Sequence, residues 1–295
     1  MASYFDRIVK PCFNELLNII PGKKGPKPYF KLIRSFMRKD PVVLSDAVIV
    51  LTTKCSLKCI NCNNLMPCYR KPYDIPLKEV LWDIKRLISA SDLIVKLTLI
   101  GGEPFLYPHL GKVLDAVLDN PKILYISLTT NGTILPSEEL LQKLSHPKVV
   151  VQISDYGVKT QKVEKLHALL VEHGIASVPD KVVSWVKPGG TEYRGKGRKQ
   201  LCKEYQECFS SKYCRTLLKG KFYLCARGAH LSDLGYMKSS HDEFNIRSKR
   251  TRTQFRKEFL RYLLSDYADA CNYCDHGLKI TVKPGEQVTA GSPME

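Results

Sequence analysis

From Asp46 to Val178 the chain alternates short apolar, β-branched runs with longer stretches of helical periodicity. This alternation constrains the fold more than any other feature, because it predicts parallel βα units rather than a bundle or a sandwich. Strands are expected at 46–53, Leu93–Ile100, Ile123–Thr130, Val149–Ser154 and Ile175–Val178. Helices are expected near 76–90, 107–119, 137–145 and 160–173. The first starts at Pro76 and puts Val80, Leu81, Ile84, Leu87 and Ile88 on one face. In such sheets ligands gather beyond the C-terminal ends of the strands. Four loops of unusual composition follow strands here: Cys55–Cys62, Gly101-Gly102-Glu103-Pro104, Thr129-Thr130-Asn131-Gly132 and Ser154-Asp155-Tyr156-Gly157. All four therefore fall on one rim.

The first of these loops, Cys55-Ser56-Leu57-Lys58-Cys59-Ile60-Asn61-Cys62, carries the strongest chemical signal. A structural zinc site is closed by four ligands, usually from two pairs of cysteines. Three thiolates on one short loop can instead hold three irons of a [4Fe-4S] cluster and leave the fourth open to a ligand. Buried or zinc-binding cysteines are the alternative. The chain holds eleven cysteines. Its first residues lack the apolar region of a signal peptide, and no run approaches the roughly 18 apolar residues of a membrane span. A cytoplasmic protein is expected, where cysteines serve as metal ligands or reactive thiols more often than as disulfides.

The Cys-x3-Cys-x2-Cys spacing, followed by Gly-Gly-Glu at the next strand end, resembles the radical S-adenosylmethionine (SAM) superfamily. The resemblance implies an α/β fold, a partial (β/α) TIM-like barrel. It implies that Cys55, Cys59 and Cys62 hold a [4Fe-4S] cluster whose open iron binds SAM, with Lys58 and Ile60 shaping the loop. Gly101, Gly102 and Glu103 would receive the methionine end. Thr130 and Asn131 would lie near the adenosine, and Ser154 would reach the carboxylate or ribose. Asp155 and Tyr156 would face SAM or substrate. The full partial barrel has six strands, so 181–187 are a candidate for the sixth.

Residues 1–45 read as a basic helical extension. An amphipathic helix over 2–20, with Phe5, Ile8, Val9, Cys12, Phe13, Leu16, Leu17 and Ile20 recurring at helical spacing, ends at Pro21-Gly22. Lys23, Lys24, Lys27, Lys31, Arg34, Arg38 and Lys39 then interleave with Tyr29, Phe30, Ile33 and Phe36. This is either a cap on the core or a peripheral anchor on an anionic membrane face. The barrel would occupy 46–185. In 186–295 eleven residues separate Cys208 from Gly220, four separate Gly220 from Cys225, and Cys271-x2-Cys274 follows. This pattern is similar to the twitch form of the SPASM extension. On that resemblance Cys208, Cys225, Cys271 and Cys274 hold one auxiliary [4Fe-4S] cluster; a zinc site of the same four is the alternative. Cys202 and Cys214 are left over as candidate hydrogen-atom donors or buried thiols. Arg227 suits a carboxylate or phosphate and His230 an acid or base, so both are candidate substrate contacts. A helix is expected over 252–264.

The resemblance points to reductive cleavage of SAM and hydrogen abstraction from a substrate carbon, oxidising or epimerising a sugar or glycoside. The net charge of +17 suggests an anionic small-molecule substrate. An external flavodoxin- or ferredoxin-type electron donor is implied. Peptide maturation is the nearest enzymatic alternative, but no leader-binding winged helix is evident ahead of Asp46. An RNA-modifying or nucleic-acid-binding protein is the second alternative, although no RRM, KH or OB signature is present.

Overall fold

The computed structural model describes residues 3–18, 26–239 and 241–289. A π-helical turn, Phe5–Val9, leads into α1, Lys10–Asn18, and α2 spans Pro26–Phe36. Ile8, Cys12 and Leu16 are buried, as their spacing predicts, whereas Phe5 and Leu17, expected on the same apolar face, are exposed. The expected stop at Pro21-Gly22, with Ile20, Lys23 and Lys24, lies outside the described residues.

Four βα units and a fifth strand follow. They run β1 Val43–Val50, α3 Leu77–Ala90, β2 Leu93–Ile100, α4 Leu110–Val117, β3 Ile123–Thr130, α5 Glu138–Leu144, β4 Val149–Asp155, α6 Val163–Glu172 and β5 Ser177–Lys181. The strands lie side by side in parallel, in the order β5-β4-β3-β2-β1. Helices cover one face. In α3, Val80, Ile84 and Leu87 are buried against the sheet while Trp82 is exposed. Ser137 caps α5 by accepting from the Leu140 N–H, which satisfies one of the donors a helix start leaves unpaired. The first strand begins at Val43, not Asp46, and stops at Val50. Beyond it Thr52 bridges to Asp74, so the backbone leaves the ladder before the cysteines.

The remaining elements are β6 Trp185–Val186, α7 Arg198–Glu207, α8 Ser210–Tyr213, β7 Thr216–Leu218, β8 Lys221–Tyr223, α9 Ala226–Asp233, β9 Glu243–Asn245, α10 Arg252–Leu263 and β10 Thr281–Val282. Residues 181–187 do not supply a sixth strand of the main sheet: β6 pairs antiparallel with β10 in a separate two-stranded ribbon. The free edge of the buried β1 is covered instead by β7, which pairs with it in parallel, Val48 opposite Thr216. β7 is buried throughout, whereas β6 is partly exposed. Two residues, Lys219 and Gly220, then turn the chain back into β8. Both have positive φ, 47° and 76°, the type I′ geometry that matches strand twist. β9 completes an open sheet of eight strands.

Three of the strands after residue 186 thus extend the same sheet, and one hydrophobic cluster runs from Ile8 through Leu87 and Ile126 to Phe222 and Leu263. Arg247, after β9, donates to both carboxylate oxygens of Asp83 at 2.6 and 2.7 Å and to Glu79 at 2.8 Å, tying the hairpin to α3. A Cβ on Gly220 would collide with that arginine's side chain.

Candidate functional site

The cysteine loop is held from three sides. Thr52 donates to Asp74 at 2.7 Å and Lys54 pairs with the same carboxylate at 2.7 Å. From β2, the Gly102 N–H donates to Thr52 O at 3.0 Å and the Glu103 N–H to Lys54 O at 2.9 Å. A Cβ on Gly101 would fall 2.6 Å from Thr52 O, and one on Gly102 would fall 2.5 Å from Cys55 Cβ. The glycine pair is therefore what lets the second loop lie directly on the first. On the third side Ile60 N–H donates to Glu286 O at 2.8 Å and Val288 N–H to Lys58 O at 2.7 Å. The Gln287 amide receives the Lys58 N–H at 2.7 Å and donates to Cys59 Sγ at 3.3 Å.

Cys55, Cys59 and Cys62 line one cavity of about 590 Å³, together with Gly101, Gly102, Thr130, Asn131, Ser154, Tyr156 and Trp185. That volume is typical of a cofactor site. Burial pushes the Cys55 thiol up to about 12 and the Cys59 thiol up to about 11, and raises Cys62 as well. Among the described residues no three Cys, His, Asp or Glu side chains close on a single metal ion.

Glu103 does not line this cavity. It is fully buried and accepts from Thr130 Oγ1 at 2.8 and 2.9 Å, Asn131 N–H at 2.9 Å and Phe105 N–H at 3.1 Å. Burial raises its carboxyl to about 6 against those donors. It locks the second rim loop to the third. Asn131 in turn donates to Ser56 at 3.1 Å and approaches Cys55 Sγ at 3.6 Å. Gln161 donates to Asn131 O at 2.6 Å and Ser154 O at 2.7 Å, joining the third rim loop to the fourth. Ser154 and Tyr156 face the cavity, and the Tyr156 ring meets Trp185 edge-on at 5.0 Å. Asp155 accepts from the Gly157 N–H at 2.9 Å, a turn-forming role.

Cys208, Cys225, Cys271 and Cys274 are all half-buried; burial raises the thiols of Cys225 and Cys271, and Cys208 and Cys274 lie near enough to add to both. Asp242 shapes this turn by accepting from Asp269 and Ala270 N–H at 2.6 and 2.7 Å. Lys196 binds the carbonyls of Cys271 and Cys274 at 3.0 and 2.5 Å. Although burial pushes Cys208 up, hydrogen bonds from His276 and the Ser211 and Ser210 backbone bring it below its ordinary value. Cys208 and His276 also line the cavity of the N-terminal cysteines.

Arg227 is buried and spends its guanidinium on main-chain carbonyls, Tyr273 at 3.0 Å, Gly189 at 2.7 Å and Gly190. Burial raises the thiols of Cys62, Cys68 and Cys274, and the Arg227 charge offsets part of that rise for Cys62 and Cys68 on one side and Cys274 on the other. Its NH1 has no hydrogen-bond partner. His230 is buried and held neutral, its pKa pushed down to about 4 by desolvation. Tyr69 gives its one proton to Asp233 at 2.9 Å, so His230 Nδ1–H donates to Tyr69 at 2.8 Å and Nε2 is the ring's acceptor. Cys214 lines a second cavity with His230, whereas Cys202 lines neither.

Sequence reasoning passed over Gln287, Trp185, His276 and Cys68. Gln287 and Trp185 belong to short exposed stretches without periodicity. The spacing of Cys68, six residues after Cys62, was a readable signal.

A family model described as the radical SAM superfamily matches residues 49–160, the span of the four rim loops. The molybdenum cofactor biosynthesis protein moc-5 of Caenorhabditis elegans is 32% identical over 118 residues, 39% of this chain and 18% of that protein. The GTP 3',8-cyclase of Pelotomaculum thermopropionicum is 36% identical over 93 residues, 30% of this chain and 27% of that one. The chain thus spans about a quarter or less of these relatives. The solved structure of native anSMEcpe with bound AdoMet aligns over 80% of this chain and 84% of its own, at 15% identity and a TM-score of 0.51. A second anSMEcpe structure with bound AdoMet covers 79% and 82% at 17% identity and a TM-score of 0.50. The fold is shared. No described helix is long and apolar enough to cross a membrane.

Proposed function

We propose that this chain, whose residues 49–160 match the radical SAM superfamily, reductively cleaves SAM to oxidise or epimerise a sugar- or glycoside-type substrate. The observation that carries the reading is the shared cavity: three thiols of one loop face the same space as the Gly-Gly, Thr-Asn and Ser-x-Tyr rim residues. The donor set fits a [4Fe-4S] cluster held by Cys55, Cys59 and Cys62, with SAM along the rim. Bound there, the cluster would pass one electron from an external donor to SAM, whose cleavage to methionine and a 5′-deoxyadenosyl radical would supply the group that takes hydrogen from a substrate carbon. The chain's own part is geometric. Gly101 and Gly102 bring the rim against the loop, Glu103 and Gln161 fix the register of the rim loops, and Tyr156 with Trp185 walls the cavity. The buried thiols must lose protons to bind metal, so loading releases acid.

Cys208, Cys225, Cys271 and Cys274 would hold one auxiliary cluster, thiolates being the fitting soft ligands. An electron acceptor there suits oxidation of an alcohol. Cys214 suits epimerisation: it faces a cavity and burial raises its thiol to about 12, so it carries the S–H hydrogen at neutral pH. The names of the curated relatives favour cyclisation of a nucleotide triphosphate instead. Beyond the thiols, the charged side chains lining the first cavity among the described residues are Glu207 and Lys279, which pair at 3.9 Å and so leave no unpaired cation for a polyphosphate.

Anaerobic reconstitution tests the reading. About eight irons per chain and dithionite-dependent 5′-deoxyadenosine are expected. Bound zinc with no SAM cleavage would overturn it. Turnover in deuterated solvent separates the branches, since only epimerisation places solvent hydrogen on substrate carbon without net redox change.

A further inference from the structure

The basic extension ahead of β1 leaves an apolar stripe in solvent. On α2, Phe30, Ile33 and Met37 follow one another at three- and four-residue intervals. The Met37 N–H donates to Ile33 O at 3.2 Å, which keeps the last of the three on the helical turn. Phe30 is 68% exposed, Ile33 48% and Met37 82%. Among the described residues no other helix exposes three large apolar side chains. The helix cannot roll to hide them, because its other face is committed. Leu32 is fully buried, and Tyr29 and Phe36 pack on the main core. Phe36 stacks on Phe13 at 6.3 Å and meets Tyr4 edge-on at 6.4 Å.

Beside that stripe runs a second. Lys27, Lys31 and Arg34 recur at four- and three-residue intervals, and all three are exposed. Arg38 continues the row and pairs with Asp92, just ahead of β2, at 3.2 Å. Residues 26–39 contain no acidic side chain. The cations extend beyond α2. Burial and then the Lys31 charge push Lys148 down, just ahead of β4. Burial and then Arg252, with Arg256 and Arg38 adding and Asp92 opposing, push Lys122 down, just ahead of β3. Cations gathered in this way favour an anionic partner. They stand where β2, β3 and β4 begin, a strand length of about 25 Å from the cysteine rim. An apolar stripe flanked by lysine and arginine on one short helix suits a bilayer interface, where acyl chains take the one and anionic headgroups the other. A second copy of the chain would instead set like charges against each other.

We propose that α2 is an interfacial helix that docks this chain on an anionic lipid bilayer, Phe30, Ile33 and Met37 entering among the acyl chains and Lys27, Lys31 and Arg34 meeting the headgroups. At eleven residues α2 is about 16 Å long, so it lies in the surface rather than across it. Docking at the strand starts leaves the four rim loops at the strand ends uncovered. Part of the chain's positive charge then serves location rather than substrate recognition.

Sedimentation of the anaerobically reconstituted full chain with vesicles tests this. Vesicles of phosphatidylcholine mixed equally with phosphatidylglycerol should carry the protein down. Pure phosphatidylcholine vesicles should bind it at least about tenfold more weakly, since each lysine or arginine near an anionic surface adds to affinity. Raising the salt from about 0.1 to about 0.5 M should weaken the binding, because the Debye length shortens. Lys31→Gln with Arg34→Gln should lower the affinity about tenfold or more. Phe30→Ser with Met37→Ser should lower it by a similar factor at unchanged charge. All four side chains are exposed, so the circular dichroism of both variants should match the parent. Equal binding to the two kinds of vesicle, no binding to either, or an unchanged affinity in the Phe30→Ser, Met37→Ser chain overturns the proposal. So does a lipid-free parent that sediments as a dimer and is dissociated by the same two substitutions, which would assign the stripe to a second copy.

Discussion

Glu103 sits at the centre of the rim without touching the cavity, and each of its carboxylate oxygens accepts from a backbone N–H, Phe105 on one and Asn131 on the other, besides the Thr130 hydroxyl. Glu103→Gln would aim an amide N–H at one of those donors. A buried mismatch of this kind costs about 1–3 kcal/mol, so the urea midpoint should fall with little change in slope. Asp46 offers a second test through pH. Burial, then the Glu15 charge, raises its carboxyl from 3.8 to about 7, against Lys96 and the Thr98 hydroxyl. With the Glu15 and Asp46 carboxyls at 2.8 and 3.2 Å from the one Lys96 ammonium, Asp46 takes the proton while Lys96 stays charged. The native state then binds a proton that the unfolded chain has released. The stability this contributes is full below pH 3.8 and is lost as pH rises through 7. Asp46→Asn lacks that loss, so urea unfolding at stepped pH should show the variant gaining on the parent across this window. The residues most legible in the sequence were those with local grammar. The three cysteines of the loop and the Gly-Gly-Glu turn announced themselves by spacing alone. Asp46, Lys96 and Thr98 were equally visible, as single polar residues in apolar strands, but their pairing depends on register between strands.

At the scale of elements, the long strands and amphipathic helices were legible because 2.0 and 3.6 periodicity needs only a short window. The β7–β8–β9 hairpins were not, since three-residue strands carry no period and β7 finds β1 across the whole first half of the chain. The cysteine pattern still marked the place, because its glycine is the second residue of the type I′ turn. Gly220→Ala combines a positive φ with a collision against Arg247, and should cost about 1–3 kcal/mol. Adding Arg247→Ala to a Gly220→Ala chain removes the collision but leaves the backbone strain. Denaturant titration of the double variant should therefore show less than the sum of the two single losses.

For the whole molecule, β7, β8 and β9 extend the sheet built by β1 to β5, and one main hydrophobic cluster spans both stretches of chain. β1 is flanked by β2 on one edge and β7 on the other, so neither half can open without exposing it. Calorimetry of the metal-free chain should show a single transition with matching calorimetric and van't Hoff enthalpies. Two resolved transitions would contradict the continuity of the core.

The contact between Gln287 and Cys59 spans 228 residues of sequence. Closing so long a loop is entropically late, and nothing local holds the two segments together beforehand. The cysteine loop thus stays accessible while the sheet forms, and only afterwards is it latched. On the proposed radical SAM reading, iron and sulfide enter during that interval, which the order of folding sets. Pulsed hydrogen exchange during refolding should find the Ile60 and Val288 amides protected after those of β1 and β2.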